Sequence, residues 1–262
     1  RWARLNPAAT AALATLLVAS AAIATVSALG RPGRSAPSAT PALFEQALRH
    51  SRAREWREAE AIFTRILARE PDHVDALTER ARCGMALDKY EEASQDLDRA
   101  NAIAPNVPQR WILRGECSMW VHQFRKAEEN FSRVLDLDPD NVEGWVGRAG
   151  ARLKRDEPAL ALEDAERAST LNPLHAWAHG ARARALSRLD RKDEAMAAYG
   201  EALKLFPREG MWLSERGLLK LERKDFAGAL QDLEAGAALS EFARDHSQDA
   251  IRAAQQGLGM AE

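Results

Sequence analysis

The chain has 262 residues, 46% of them apolar, 6% aromatic and 29% charged, with a formal net charge of -2. That length holds one or two ordinary domains or one extended array, and abundant alanine with few aromatic residues favours closely packed helices over sheets. Residues 1–42 hold Arg1, Arg4, Arg31 and Arg34 and no acid, which leaves the remainder at -6 (33 basic against 39 acidic residues) and argues against nucleic-acid binding.

The first predicted element follows a short basic stretch, residues 1–7. From Ala8 to Leu29 there are 22 residues without a charge. As a helix rising 1.5 Å per residue they span roughly 33 Å, enough for a bilayer core. A single transmembrane helix over residues 8–30 is therefore expected, making the protein a single-pass membrane protein. A cleaved signal peptide is the rival reading, with small-x-small sites at Ala22-Ile23-Ala24 or Ser20-Ala21-Ala22. A buried soluble helix is a third, but no polar stripe at helical spacing supports it. Two arginines lie on each side of the run, so charge does not set its orientation. Ser20 and Ala24, four apart, permit self-association through the membrane helix.

The lead-in Arg1-Trp2-x-Arg4-x-Asn6-Pro7 before an alanine-rich span resembles the juxtamembrane segment of bacterial transmembrane serine/threonine protein kinases. That resemblance covers about thirty residues and implies a kinase domain upstream of Arg1, with the remainder extracytoplasmic as its sensor or docking half. Residues 31–42, RPGRSAPSATPA, then read as a linker, because Pro32, Pro37 and Pro41 favour an extended chain.

Beyond the linker the sequence keeps a ruler. Pro71, Pro105, Pro139, Pro173 and Pro207 are each 34 residues apart, and so are Ala59, Ala93, Ala127, Ala161, Ala195 and Ala229. A fixed period of this length marks an internal repeat. With each proline at position 32, position 8 is always small: Ala47, Ala81, Gly115, Ala149, Ala183 and Gly217. Position 24 is mostly bulky, as in Phe63, Leu97, Phe131, Tyr199 and Leu233. These features resemble the tetratricopeptide repeat. The resemblance implies an all-α, right-handed solenoid of six helix-turn-helix units, at about 40–73, 74–107, 108–141, 142–175, 176–209 and 210–243. Small residues at positions 8 and 20 let the two helices of a unit approach, and the bulky residue at 24 fills the space alongside. Asp72, Asn106 and Asp140, directly after a proline, are candidates to cap the next helix. Glu241 stands where a sixth proline belongs, and residues 241–262 read as a polar capping helix with a frayed tail.

Arginine recurs at position 7 as Arg80, Arg114, Arg148, Arg182 and Arg216. Position 23 of the same units holds Asp96, Asn130, Asp164, Ala198 and Asp232, so internal pairing is expected everywhere except at Arg182. Cys83 and Cys117 both occupy position 10 in adjacent units, too far apart for a disulfide, and are expected as free core thiols. His175 and His179 are four apart, as metal ligands on one helix face are, but no third ligand has a fitting spacing. No phosphate loop, nucleophile elbow or metalloprotease motif occurs. No catalytic residue, metal or cofactor is expected, and the chain itself reads as no enzyme.

The repeat family implies that positions 2, 5, 9, 12 and 13 of each first helix line a concave groove. Here Met85, Ile112, Met119, Trp120, Leu153, Trp177, Arg184, Arg188 and Leu218 are the candidate partner-binding residues. Apolar and sulfur-bearing residues of this kind suit a partner's amphipathic helix or extended peptide. Relatives that clamp a terminal carboxylate use lysine, asparagine and arginine at defined groove positions. The second and third units offer Asp75, Thr78, Arg82, Gln109, Ile112 and Glu116 instead, and that pattern is absent. The leading expectation is a membrane-anchored scaffold binding another protein, with the kinase half as the alternative.

Overall fold

The computed structural model of the protein describes residues 39–259. Among the described residues there are thirteen helices and no strand. The expected anchor at 8–30, the lead-in and most of the linker lie outside the described residues. No helix among the described residues is long and apolar enough to cross a membrane.

The helices are α1 (Ala39–Arg52), α2 (Trp56–Leu67), α3 (Val74–Ala86), α4 (Tyr90–Ile103), α5 (Pro108–Trp120), α6 (Phe124–Leu137), α7 (Val142–Lys154), α8 (Pro158–Leu171), α9 (Ala176–Arg188), α10 (Lys192–Leu205), α11 (Gly210–Glu222), α12 (Phe226–Leu239) and α13 (Glu241–Gly257). Successive pairs form six hairpins in the expected phase, and α13 follows as the terminal helix. The linker boundary is corrected: α1 opens at Ala39, with Pro41 in its first turn. Proline is tolerated there because the first N–H groups of a helix have no intrahelical acceptor.

The chain divides into two compact units, with the boundary between Ile103 and Ala104. In the first, Phe63, Ile66 and Leu77 are buried together, with Phe44 set edge-on to Phe63 at 5.6 Å. In the second, Tyr199, Leu186 and Trp212 form the largest cluster. Leu233 packs with Ala250 and Ala254, which fastens α13 to the last hairpin. The six period-defining alanines are all fully or nearly fully buried, so the ruler in the sequence is the contact line between helices.

Each hairpin turns the same way. The N–H at position 16 donates to the carbonyl at position 11: Glu55 to His50 (2.9 Å), Lys89 to Gly84 (2.8 Å), Gln123 to Ser118 (2.8 Å), Glu157 to Arg152 (2.9 Å), Arg191 to Leu186 (2.9 Å) and Asp225 to Lys220 (3.0 Å). This closes the first helix as a Schellman turn. The residue between, at position 15, is left-handed in every repeat yet never glycine: Arg54, Asp88, His122, Asp156, Asp190 and Lys224 have φ of 58 to 63°.

The junctions between repeats differ from expectation. The helix cap falls at position 34, not 33. His73 Nδ1 accepts from the Ala76 N–H (3.2 Å), Asn141 Oδ1 from Gly144 (3.0 Å) and His175 Nδ1 from Ala178 (3.2 Å). Asp72 and Asp140 serve instead as acceptors for Arg99 (2.7 Å) and Arg167 (3.1 Å) on the next repeat's second helix. A second device recurs at position 4. Trp111 Nε1 donates to the Pro105 carbonyl (2.7 Å), Trp145 Nε1 to Pro139 (2.8 Å) and His179 Nε2 to Pro173 (2.9 Å). Each side chain pins its own helix to the last residues of the repeat before.

Candidate functional site

The arginines at position 7 are used inside the fold. Arg80 grips Asp96 with Nε and Nη2 (2.7 and 2.6 Å), Arg148 grips Asp164 (2.9 and 2.8 Å) and Arg216 grips Asp232 (2.7 and 2.8 Å). Asp164, 2% exposed, takes a further bond from Arg152 (2.8 Å), which also donates to Glu128 (3.0 Å). Two-pronged pairs of this kind fix the rotation of one helix against its partner. In the third repeat Arg114 turns to Ser118 Oγ (2.8 Å), an oxygen that also receives Asn130 Nδ2 (3.2 Å). In the fifth repeat Ala198 supplies no acceptor, and Arg182 Nε is buried without one.

Cys83 and Cys117 are buried free thiols. Burial, reinforced by the charges of Glu79 and Glu60, pushes the Cys83 thiol up to about 12, which keeps it protonated and inert. The two histidines of α9 are taken up by the junction. A carbonyl only accepts, so His179 Nε2 carries the ring proton, while His175 Nδ1 must stay unprotonated to cap. Burial first, and the neighbouring His179 as well, hold the His175 pKa below its ordinary value, outweighing the opposing pull of Glu143. Among the described residues no group of three His, Cys, Asp or Glu side chains could hold a metal ion.

Within the second unit the first helices of successive repeats stand side by side. Helix α5 touches α7, and α7 touches α9. Helices α9 and α11 are joined by Trp177 against Trp212, ring centroids 4.9 Å apart, and by Arg184 Nε bonded to both oxygens of Glu215 (3.0 Å each). Tyr199 Oη donates to the same carboxylate (3.0 Å). Burial, then the Glu215 charge, holds the Tyr199 hydroxyl protonated well above its ordinary range, so it remains a donor.

The sequence-predicted contact residues separate on this face. Met119, Trp120, Leu153 and Trp177 are half-buried, and Leu218 is exposed at 41%. Ile112 is corrected: at 6% exposed it packs with Ala127, Phe131 and Val134 in the interior, where its β-branched side chain fills the hairpin. Arg184 is a third exposed and tied to Glu215, and Arg188 bonds Asp156 on the α7–α8 turn (3.2 Å). Met85 is half-buried on α3 of the first unit. Glu215 and Tyr199 were not legible as positioning residues. Glu215 lies in the next repeat, 31 residues beyond Arg184, and Tyr199 occupies a position read only as bulk.

Stacked helical hairpins with a half-apolar face define a repeat-built architecture of the kind used for interaction scaffolds. Models of the tetratricopeptide repeat match residues 50–117, 121–176 and 181–243, and the chain belongs to that family. Its members are typically non-enzymatic scaffolds for protein–protein interaction. Solved structures agree in fold. A tetratricopeptide repeat protein from Parabacteroides merdae is 16% identical with a TM-score of 0.68, covering 86% of this chain and 94% of that one. A MamA fragment from Desulfovibrio magneticus is 20% identical with a TM-score of 0.56, covering 68% and 98%. YrrB, described as a tetratricopeptide repeat protein with an unusual peptide-binding site, is 17% identical with a TM-score of 0.54, covering 75% and 97%. No curated protein sequence matches the chain.

Proposed function

We propose that this scaffold holds a partner's helix or extended peptide in a groove formed by the first helices α5, α7, α9 and α11. The observation that carries the reading is Leu218, 41% exposed on the same run of helices as half-buried Met119, Trp120, Leu153 and Trp177. Apolar side chains left partly wet on adjacent helices stabilise a complex when a partner covers them, at about 25 cal/mol per Å². Relatedness to a fold whose member YrrB has a peptide-binding site supports the same reading.

The test is selective capture. With the partner obtained by photocrosslinking from position 218, Leu218→Asp should abolish binding while Leu205→Asp, at an exposed side chain on the second helix α10, leaves it intact. Equal retention by both variants, or equal loss, would sink the groove assignment.

The uncharged run at residues 8–30 supports a single-pass membrane anchor for this scaffold, which would also allow self-association in the bilayer. The Arg1-Trp2-x-Arg4-x-Asn6-Pro7 lead-in supports a second reading, in which the repeats are the docking half of a bacterial serine/threonine kinase. Coding sequence upstream of Arg1 decides it. An open frame carrying kinase motifs supports that parent, and a start codon at or just before Arg1 removes it.

A further inference from the structure

Three repeats close the arginine at position 7 onto an aspartate at position 23, with Nε–Oδ2 distances of 2.7 to 2.9 Å. The fifth repeat keeps the arginine and lacks the aspartate. Ala198, 1% exposed, stands where the carboxylate would begin, and Arg182 Nε is buried with no acceptor. Arg182 forms no hydrogen bond or ion pair among the described residues. The nearby acids do not close the fork: the Glu194 carboxylate feels the Arg182 charge but is gripped by Arg191 through both oxygens (2.7 Å each). Glu166 stands at the register position of Thr64 and Ser132, which accept from Arg80 and Arg148, yet it is exposed and makes no ion pair among the described residues.

Replacing aspartate by alanine removes one carboxylate group, a volume the size of formate. A buried guanidinium N–H without an acceptor loses its solvation with nothing in return, and the planar fork of arginine matches a carboxylate two-pronged. We propose that the α9–α10 hairpin is a carboxylate-binding site, in which Arg182 takes from outside the chain the group that the other repeats supply from their own second helix. The site is separate from the groove of the first helices and does not depend on it. Its ligand is a free small carboxylate or an aspartate or glutamate side chain presented by another protein.

The experiment is a proton–nitrogen correlation spectrum of the arginine Nε–Hε groups of the full chain, titrated with formate and separately with N-acetyl-aspartate amide. The Arg182 signal should move saturably, while those of Arg80, Arg148 and Arg216, whose forks are already filled, should stay. Those three signals are controls within the wild-type protein, so the result does not hinge on any variant folding. Ala198→Asp should place the Arg182 signal at its ligand-bound position before titration and weaken binding at least tenfold. Glu166→Gln should leave binding in place or tighten it. Tighter binding of the aspartate amide than of formate assigns the site to a protein's acidic side chain, and the reverse assigns it to a small carboxylate. An Arg182 signal that neither ligand moves, or that moves equally in Ala198→Asp, overturns the proposal.

Discussion

Phe131 on α6 is slotted between two glycines of the flanking first helices, and replacing one of them gives a prediction whose sign can be worked out. A Cβ added at Gly147 on α7 would lie 2.3 Å from Phe131 Cε1 and 2.6 Å from Cδ1 and Cζ. The ring cannot retreat toward α5, where a Cβ at Gly115 would already be 2.7 Å from Cζ. Carbon atoms prefer separations of about 3.5–4.0 Å, so Gly147→Ala must displace the ring by more than about 1 Å. Overpacking of this size costs about 1–3 kcal/mol, against a gain of about 0.8–1 kcal/mol from replacing glycine within a helix. The net expectation is a loss of about 1 kcal/mol. Gly200 on α10 is the control, because nothing lies within 4 Å of its added Cβ. Gly200→Ala should therefore stabilise by about 0.5–1 kcal/mol. Urea unfolding followed by circular dichroism reads both, and Gly147→Ala in a Phe131→Leu background should turn from harmful to neutral or favourable. Equal stabilisation by Gly147→Ala and Gly200→Ala would refute the argument.

The hairpin turns give a second prediction. Arg54, His122 and Lys224 hold left-handed backbone, which costs a residue with a Cβ about 1–2 kcal/mol. Glycine there should raise stability by several tenths to about 1 kcal/mol each, read as an upward shift of the urea midpoint. An unchanged or lowered midpoint at all three would contradict it. The third concerns Asp232, where burial alone would raise the carboxyl pKa but bonds from Arg216 and Lys220 outweigh it and hold the pKa below its usual 3.8. A depressed carboxylate contributes stability that is present above the unfolded value and lost as pH falls through the folded one. Wild type should thus exceed Asp232→Asn in urea midpoint at pH 7, with the gap closing below about pH 3.8. A gap independent of pH would show that the ion pair is not its source.

Much of the fold was legible because the repeat places the same contact at the same offset six times. The alanines at position 20 are buried in every hairpin, and the Arg–Asp pairs at a separation of sixteen could be read directly, since both residues belong to one hairpin. What crosses between hairpins was not legible. The bond from Arg184 to Glu215, the pins at Trp111, Trp145 and His179, and the ion pairs from Arg99 and Arg167 all depend on how one hairpin is rotated against the next. Offsets along the chain carry no such rotation. Ile112 shows the limit at the candidate site. Its position number placed it on the binding face, but it packs in the buried cluster with Ala127, Phe131 and Val134.

The pins at position 4 also give the array a direction of assembly. Each acceptor carbonyl belongs to the end of one hairpin, and each donor ring to the first turn of its successor. A ribosome releases the acceptor before the donor, and chains grow slowly enough for earlier segments to fold while later ones are made. An emerging indole or imidazole therefore meets a carbonyl already set in place by a finished neighbour. At these three junctions synthesis order and bonding order run the same way, so the new hairpin is laid on a completed course, as bricks are on a wall.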